Sequence, residues 1–390
     1  MAGVLFYFST KPDHAHFDYT FRVAQALLRG HTGLNHHPGS WLNEFIPLAG
    51  KFYSVFPLGA VLANIPVALL RKMGLVHEWP ARSFAALIAA LCVYFSYCLT
   101  LVSPMARPRR ILLALAPVFA TWTWTNLGFA GAWQIALGLS LLGQMAALYF
   151  TLVRSRPILA GAFFALAFGN RVELLLATPI FLYFWFFRES ETTPASTDAW
   201  YVRYRSGLIR IAKFSAIPVF LLMATASYNY ARFGSVADFG YARIPGVLKE
   251  PWYQHGLFSL HAIPWNVHKM LFEGAADMPQ FPFVRFYPFG CSIFMASPLL
   301  FLLFREGARH KAACWLAIIG LTAVLWLHGN PGGWQFSYRY AMILLPWMFL
   351  LIVENGPPRL TATEGAVFMI SVCINAIAVY EFLWSSIIHV

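Results

Sequence analysis

The sequence predicts an all-α polytopic membrane protein of about eleven transmembrane helices, with two outer-side loops carrying short amphipathic helices. Composition makes the first case. Of 390 residues, 59% are hydrophobic and 11% charged, against roughly 45–50% and about 25% in a soluble domain, which excludes soluble, disordered and fibrous chains. Mean hydropathy is +0.60, and the apolar residues gather into runs near the ~20 residues that cross a hydrocarbon core. The 36 Phe, 17 Tyr and 14 Trp suit a chain with two membrane–water interfaces, where Trp and Tyr concentrate.

In chain order, Val4–Ser9 is too short for a signal peptide or a full crossing and reads as a shortened first span. Spans are then expected at Arg82–Ser103, Ile111–Gly128, Gly131–Val153, Ile158–Phe168, Val172–Phe187 and Phe214–Tyr230. Phe289–Phe304, Ala312–His328, Tyr340–Val353 and Ala366–Trp384 complete the set. Val55–Leu70 is apolar but short and carries Pro57, Gly59 and Pro66. Positive charge decides its reading. If it does not cross, Arg107, Arg109 and Arg110, Arg154 and Arg156, Arg188 through Lys213, Arg305, Arg309 and Lys311, and Arg359 all fall on one side. That is the cytoplasmic side under the positive-inside rule, and Val55–Leu70 becomes a re-entrant or interfacial helix on the outer side.

The chain 1–390 is thus one transmembrane domain with a first outer loop, 11–82, and a second, 232–288. The net charge of +12 sits in short clusters between apolar runs, which points to topology and anionic membrane lipids rather than nucleic acid. Cys92, Cys98, Cys291, Cys314 and Cys373 lie inside apolar stretches, so no disulfide framework is indicated.

Chemistry-bearing residues concentrate in the outer loops. From Lys11 to Gly30, Phe17, Phe21, Ala24, Leu27 and Leu28 recur at helical spacing, which predicts an amphipathic helix on the membrane surface. Asp13 and Asp18 stand at its start, as helix caps or as catalytic carboxylates. Glu173 is an acid within an apolar run, where a charge pairs or works; it orients substrate or holds structure. Arg171, two residues earlier, does not share a helix face with it, so the two are not expected to form a local pair. Arg339, followed by Tyr340, is a phosphate ligand or an interface anchor. His14 with His16 and His36 with His37 match no strong metal-ligand spacing, so no metal site is assigned. Trp252–Tyr253, Phe281–Phe283 and Phe286–Tyr287 stack on a sugar or prenyl chain, or form an interfacial belt.

The run of Asp18, an aromatic and then A-x-A-L-L-x-G after a first span resembles the GT-C glycosyltransferases, as does WLNEFIPLAGKFYSVFPLGAVL (Trp41–Leu62). AFGNRVELLLATP (Ala167–Pro179), YNYARFGSVADFGY (Tyr228–Tyr241) and GNPGGWQFSYRYAMILLP (Gly329–Pro346) are similar to later segments of that superfamily, in the same order. His14 and His16 interleave with Asp13 and Asp18 where the family often has paired acids, and Pro57 stands without a second proline. The protein mannosyltransferases and the lipid A aminoarabinose transferase belong to this group.

The resemblance implies an enzyme of a bacterial inner membrane that moves a sugar from a polyprenyl-phosphate donor to a glycan, lipid or protein acceptor on the outer side. Inverting transfer needs a carboxylate to accept the acceptor's proton, expected to be Asp18, with Asp13 as the alternative. The lipid-phosphate leaving group needs cations: Arg339 first, then Arg232 and Arg171, with Lys269 or Arg285 contributing. Glu173, Tyr340, His16 and Tyr53 are the expected substrate-positioning residues. No cofactor is assigned, although some members of the group use a divalent metal. A second reading is a transporter or flippase of a lipid-linked or small solute, for which mid-membrane acids and broken helices in corresponding halves are the mark. No internal duplication supports it.

Overall fold

The computed structural model describes residues 1–11, 17–39, 44–187 and 199–388, with the backbone alone for 199–203. The protein is mostly helical, 67% helix with a few short strands. Among the described residues, four helices are long and apolar enough to cross a membrane: Ala81–Val102, Ala132–Leu152, Tyr204–Phe233 and Ala362–Trp384. Pro157–Asn170, Val172–Phe187 and Lys311–Leu327 are shorter apolar helices. Several of the expected crossings are instead broken into short pieces.

The order of elements is α1 (Ala2–Ser9), α2 (Tyr19–Leu27), the antiparallel hairpin β1 (Phe45–Leu48) and β2 (Lys51–Ser54), α3 (Leu58–Leu62) and α4 (Ile65–Lys72). Then come α5 (Ala81–Leu99), α6 (Arg107–Phe119), α7 (Thr123–Gly128), α8 (Ala132–Leu152), α9 (Pro157–Asn170), a 3-10 turn over Val172–Ala177, α10 (Thr178–Phe187) and α11 (Ala199–Phe233). The remainder holds α12 (Ile263–Val267), the small hairpin β3 (Ala276–Asp277) and β4 (Val284–Arg285), α13 (Ile293–Ala296) and a 3-10 turn over Pro298–Phe304. It ends with α14 (Lys311–Leu327), a 3-10 turn over Arg339–Leu344, α15 (Leu345–Asn355) and α16 (Ala362–Val379).

Helix α8 is the centre because its sequence has no proline, no charge and apolar residues all round, so it is buried on nearly every side. Its neighbours approach through small residues, as helices do where lipid offers no hydrophobic drive. A Cβ at Gly143 would lie 2.6 Å from the Phe163 carbonyl oxygen, and one at Gly161 would strike the Phe214 backbone, so α8, α9 and α11 meet backbone to backbone. Gly59 abuts Gly169 in the same way, which seats α3 against the end of α9.

Breaks in helices free backbone groups that water cannot satisfy in a membrane, and side chains satisfy them here. Asn126 on α7 donates to the carbonyls of Trp122 (2.8 Å) and Phe336 (2.7 Å) and accepts from Phe336 N–H (3.3 Å). Asn375 donates to Ala296 O at 2.8 Å, Ser371 Oγ accepts from Leu299 N–H at 2.9 Å, and Ser297 Oγ donates to Ala120 O at 2.6 Å.

The structure corrects several expectations. Val55–Leu70, expected as a single re-entrant or interfacial helix, is two short helices, α3 and α4, of 5 and 8 residues, neither long enough to cross. Phe289–Phe304 forms a 4-residue helix and a 7-residue 3-10 turn; at ~2 Å per residue such a turn is far too short to span. The expected inner loop Arg188–Lys213 is shorter, because α11 begins at Ala199 and takes in Arg205, Arg210 and Lys213; the Ser/Thr run of that loop lies outside the described residues. The expected surface helix exists as α2, but Tyr19, Thr20, Phe21, Val23, Ala24 and Ala26 are all buried. Protein covers it on more than one face.

The helix ends separate by chemistry. At one end Arg109 and Arg305 converge on Glu364, Ala106 N–H bonds Pro358 O, and His310 pairs with Glu354. Elsewhere α2 packs on α3, α4 and β2, α3 packs on α9 and α11, and His328 and Gln335 mark a separate stretch of chain. The second expected outer loop is tied there too, through bridges of Phe258 with His328 and Phe289 with Gln335.

Candidate functional site

Each element of the site is placed by a local break. Helix α9 ends at Asn170, and Arg171 takes an extended conformation (φ −139°, ψ 96°) before the 3-10 turn that Glu173 opens. The 3-10 turn over Arg339–Leu344 follows Ser337, which is held at φ 56°, a conformation costly for a non-glycine residue. The Ser337 hydroxyl donates to Cys291 O at 3.0 Å and fixes that bend. Glu44 stands immediately before β1, and Tyr19 is the first residue of α2.

These breaks gather two guanidiniums around one ring. Arg171 lies 4.8 Å and Arg339 5.1 Å from the Tyr340 ring centroid. Arg339 is buried; its Nη1 donates to Trp334 O at 3.2 Å and its Nη2 to Tyr340 Oη at 3.4 Å. Its Nε is buried and has no partner among the described residues. A buried donor in that state costs free energy. Arg171 is held by Glu173, with Nε and Nη2 at 2.8 and 2.6 Å from Oε1. The expectation that these two do not pair is therefore overturned: the i, i+2 rule holds within an α-helix, and this pair straddles a helix end.

Glu44 lies within reach of the Arg339 charge. Burial pushes its carboxyl up to about 7, while polar contact with Tyr19 and Trp133 and the charge of Arg339 act in the opposite direction. Tyr19 packs edge-on against Trp133 (5.1 Å) and Phe45 (5.6 Å), and the nearby carboxylates and burial push its phenol upward. Asp18 is next in line. It occupies the N-cap position of α2 without making a cap bond; its carboxylate instead takes Arg22 Nε at 2.6 Å. Burial raises its pKa and Arg22 lowers it, with burial the larger effect.

Behind Tyr340 stands His328, ringed by Tyr241 (6.2 Å), Tyr253 (6.0 Å), Phe258 (5.5 Å) and Tyr340 (6.1 Å). Its Nδ1 donates to Asn330 O at 2.8 Å. Burial lowers the imidazole's pKa, and that hydrogen bond raises it. Tyr241 and Tyr253 share a 2.8 Å hydroxyl contact.

Of the residues expected from sequence, Arg339, Arg171, Tyr340 and Glu173 meet, and Asp18 adjoins them through Tyr19. Three others do not join. Arg232 donates to Ser54 O (2.5 Å) and Asn229 Oδ1 (2.7 Å) and lies over the rings of Tyr228 and Phe233, and its Nε, like that of Arg339, is buried without a partner among the described residues. Tyr53 packs on Phe233 at 6.0 Å in a small apolar cluster. Lys269 pairs with Glu273 and lies 5.1 Å from the Trp265 centroid. Asp13 and His16 lie outside the described residues. No cluster of three or more metal-ligating side chains occurs among the described residues.

Glu44, Tyr19, Trp133 and His328 belong to the site and were not singled out from the sequence. A signal existed for Glu44, an acid inside the otherwise apolar and aromatic segment Trp41–Leu62. None existed for Trp133, one of 14 Trp. No protein family, curated protein or solved structure matches this chain.

Proposed function

We propose that the protein is a membrane glycosyltransferase that moves a sugar from a polyprenyl-phosphate donor to an acceptor at the outer membrane face, with inversion. The observation that carries this reading is the pair of guanidiniums, Arg171 and Arg339, set about Tyr340 at an end of the helix bundle that also holds carboxylates. Two guanidiniums suit a phosphate whose charge grows as its bond to the sugar breaks. Tyr340 between them offers a ring face for sugar or isoprenoid, and Glu173 fixes the orientation of Arg171. A carboxylate contributed by the first loop takes the acceptor proton. The lipid carrier accounts for a site at the ends of apolar helices.

The broken helices at Val172–Ala177 and Arg339–Leu344 favour a second reading, transport or flipping of a lipid-linked or small solute, since discontinuous helices line such sites. Purified protein in vesicles with a labelled polyprenyl-phosphate sugar separates the two. Transfer to an acceptor, with Arg339→Gln and Arg171→Gln each weakening donor use by about 10–100-fold, is the expected result. Movement of solute across the vesicle without any sugar transfer would replace this reading with transport.

A further inference from the structure

We propose that His328 determines sugar specificity at this site, its Nε2 accepting a hydrogen bond from a hydroxyl of the donor's sugar. The proposal rests on the glycosyl-transfer reading and names the kind of sugar it admits. The imidazole is held through its other nitrogen and through its backbone. Nδ1 lies 2.8 Å from Asn330 O, and because a carbonyl only accepts, Nδ1 carries the proton. In the neutral ring Nε2 is then an acceptor, and it makes no hydrogen bond among the described residues. Asn266 Nδ2 donates to His328 O at 2.8 Å and to Trp326 O at 3.0 Å. His328 N–H bonds Val324 O at 3.2 Å, and Gly329 N–H bonds Leu257 O at 2.9 Å. Tyr241, Tyr253, Phe258 and Tyr340 all meet the ring edge-on. A side chain supported in this way is oriented before a ligand arrives.

Tyr340 ties this imidazole to the donor site. Its ring has the guanidiniums of Arg171 and Arg339 at 4.8 and 5.1 Å, and it meets the His328 ring at 6.1 Å with an interplanar angle of 78°. A sugar joined to a phosphate held by those guanidiniums extends past Tyr340 to the imidazole. The charged and titratable groups about His328 come from three segments. Arg171 and Glu173 belong to the break after α9, Tyr340 and, beside it, Arg339 to the 3-10 turn, and Tyr241 and Tyr253 to the second outer loop. Burial lowers the pKa of the imidazole, with the Asn330 hydrogen bond acting against it and the charges of Arg171 and Glu173 opposing each other. The ring is therefore neutral near pH 7. A neutral acceptor nitrogen pairs with a hydroxyl and has no proton to offer a carboxylate. The donor that fits carries a neutral hexose or pentose rather than a uronic acid.

The test uses the full-length protein in vesicles with labelled polyprenyl-phosphate hexoses, pentoses and uronic acids, and with monodeoxy analogues of the sugar transferred. Wild type, His328→Phe and His328→Gln are compared. Transfer of a neutral sugar and not of a uronic acid is expected. His328→Phe should raise the donor KM by about 10–100-fold with kcat little changed. One deoxy analogue should cost wild type a similar factor and cost His328→Phe almost nothing further, the non-additivity expected of two groups in direct contact. Wild-type KM should rise as pH falls through the imidazole's pKa, because the protonated ring no longer accepts. His328→Gln, whose amide oxygen accepts without titrating, should lack that rise. Losses that add for every hydroxyl, a preference for uronic acids, or a KM that falls on acidification as an imidazolium grips the phosphate would each overturn the assignment and leave the transferase reading standing. A wild type inactive with every prenyl-phosphate sugar overturns the transferase reading and this proposal with it. Independently of turnover, nitrogen NMR of histidine-labelled protein should show a ring protonated at Nδ1 alone near neutral pH, with the signal absent from His328→Phe. A His328 ring protonated at Nε2 there overturns the acceptor role whatever the protein transfers.

Discussion

At the residue scale, environment rather than residue type separates the acids. Asp18 and Glu173 each meet an arginine from their own segment, and burial raises the carboxyl of Glu44. This has a consequence for stability. The Glu44 carboxyl, with an ordinary value of 4.5, is pushed up to about 7 in the folded protein. Across that window the folded state keeps a proton that the unfolded chain has lost, so stability falls as pH rises from about 4.5 to about 7 and is level beyond. Thermal unfolding in detergent should therefore show a Tm that drops over this range in wild type and drops less in Glu44→Gln. An identical pH slope for both proteins would show that Glu44 is not the group responsible. Arg339 and Tyr340 could be chosen from sequence because a cation and a ring stand together at a span boundary. The raised carboxyl of Glu44 could not be read from the sequence, because burial is a property of neighbours.

At the element scale, positions of helices were legible and their integrity was not. The runs chosen by apolarity coincide with α5, α8, α9, α14 and α16 to within a few residues. The runs near Pro298 and Arg339 become 3-10 turns, since a hydropathy run does not register whether a backbone hydrogen bond is made within the helix or by a side chain from elsewhere. Asn126 is the clearest case, with its amide serving both backbone groups of Phe336, 210 positions away. Asn126→Ala leaves a buried carbonyl and N–H without their partner, a loss of about 1–3 kcal/mol. A lower Tm and a weakened response to donor are expected together, because Phe336 leads directly into Ser337 and Arg339. If Asn126→Ala lowers neither, the Asn126 amide does not brace the Arg339 turn.

At the scale of the whole molecule, charge marks two ends. Two residues of the basic clusters, Arg109 and Arg305, meet at Glu364. There Glu364, fully buried, accepts from Arg109 Nε at 3.1 and 3.2 Å and from Arg305 Nη1 at 2.8 Å, while Thr361 caps the same helix turn. Arg109 also donates to Ile352 O and Val353 O, so this cluster joins α6, α15 and α16. Removing one partner of a buried ion pair strands the other charge, at a cost of about 3–5 kcal/mol. Glu364→Ala should lower the Tm more than any substitution at the opposite end, without altering the pH profile of transfer. A Tm within a degree or so of wild type would mean the cluster is replaceable by water.

By itself the sequence determined that this chain is helical and membrane-embedded, where its long helices run, and which arginines and aromatic residues stand at their ends. Those features follow from local composition and period, which each segment carries alone. Tertiary structure decided which helices are continuous, that Arg171 pairs with Glu173, and that Asp18 pairs with Arg22. Such choices depend on which distant residues share a low-dielectric neighbourhood, and burial strengthens every charge interaction there.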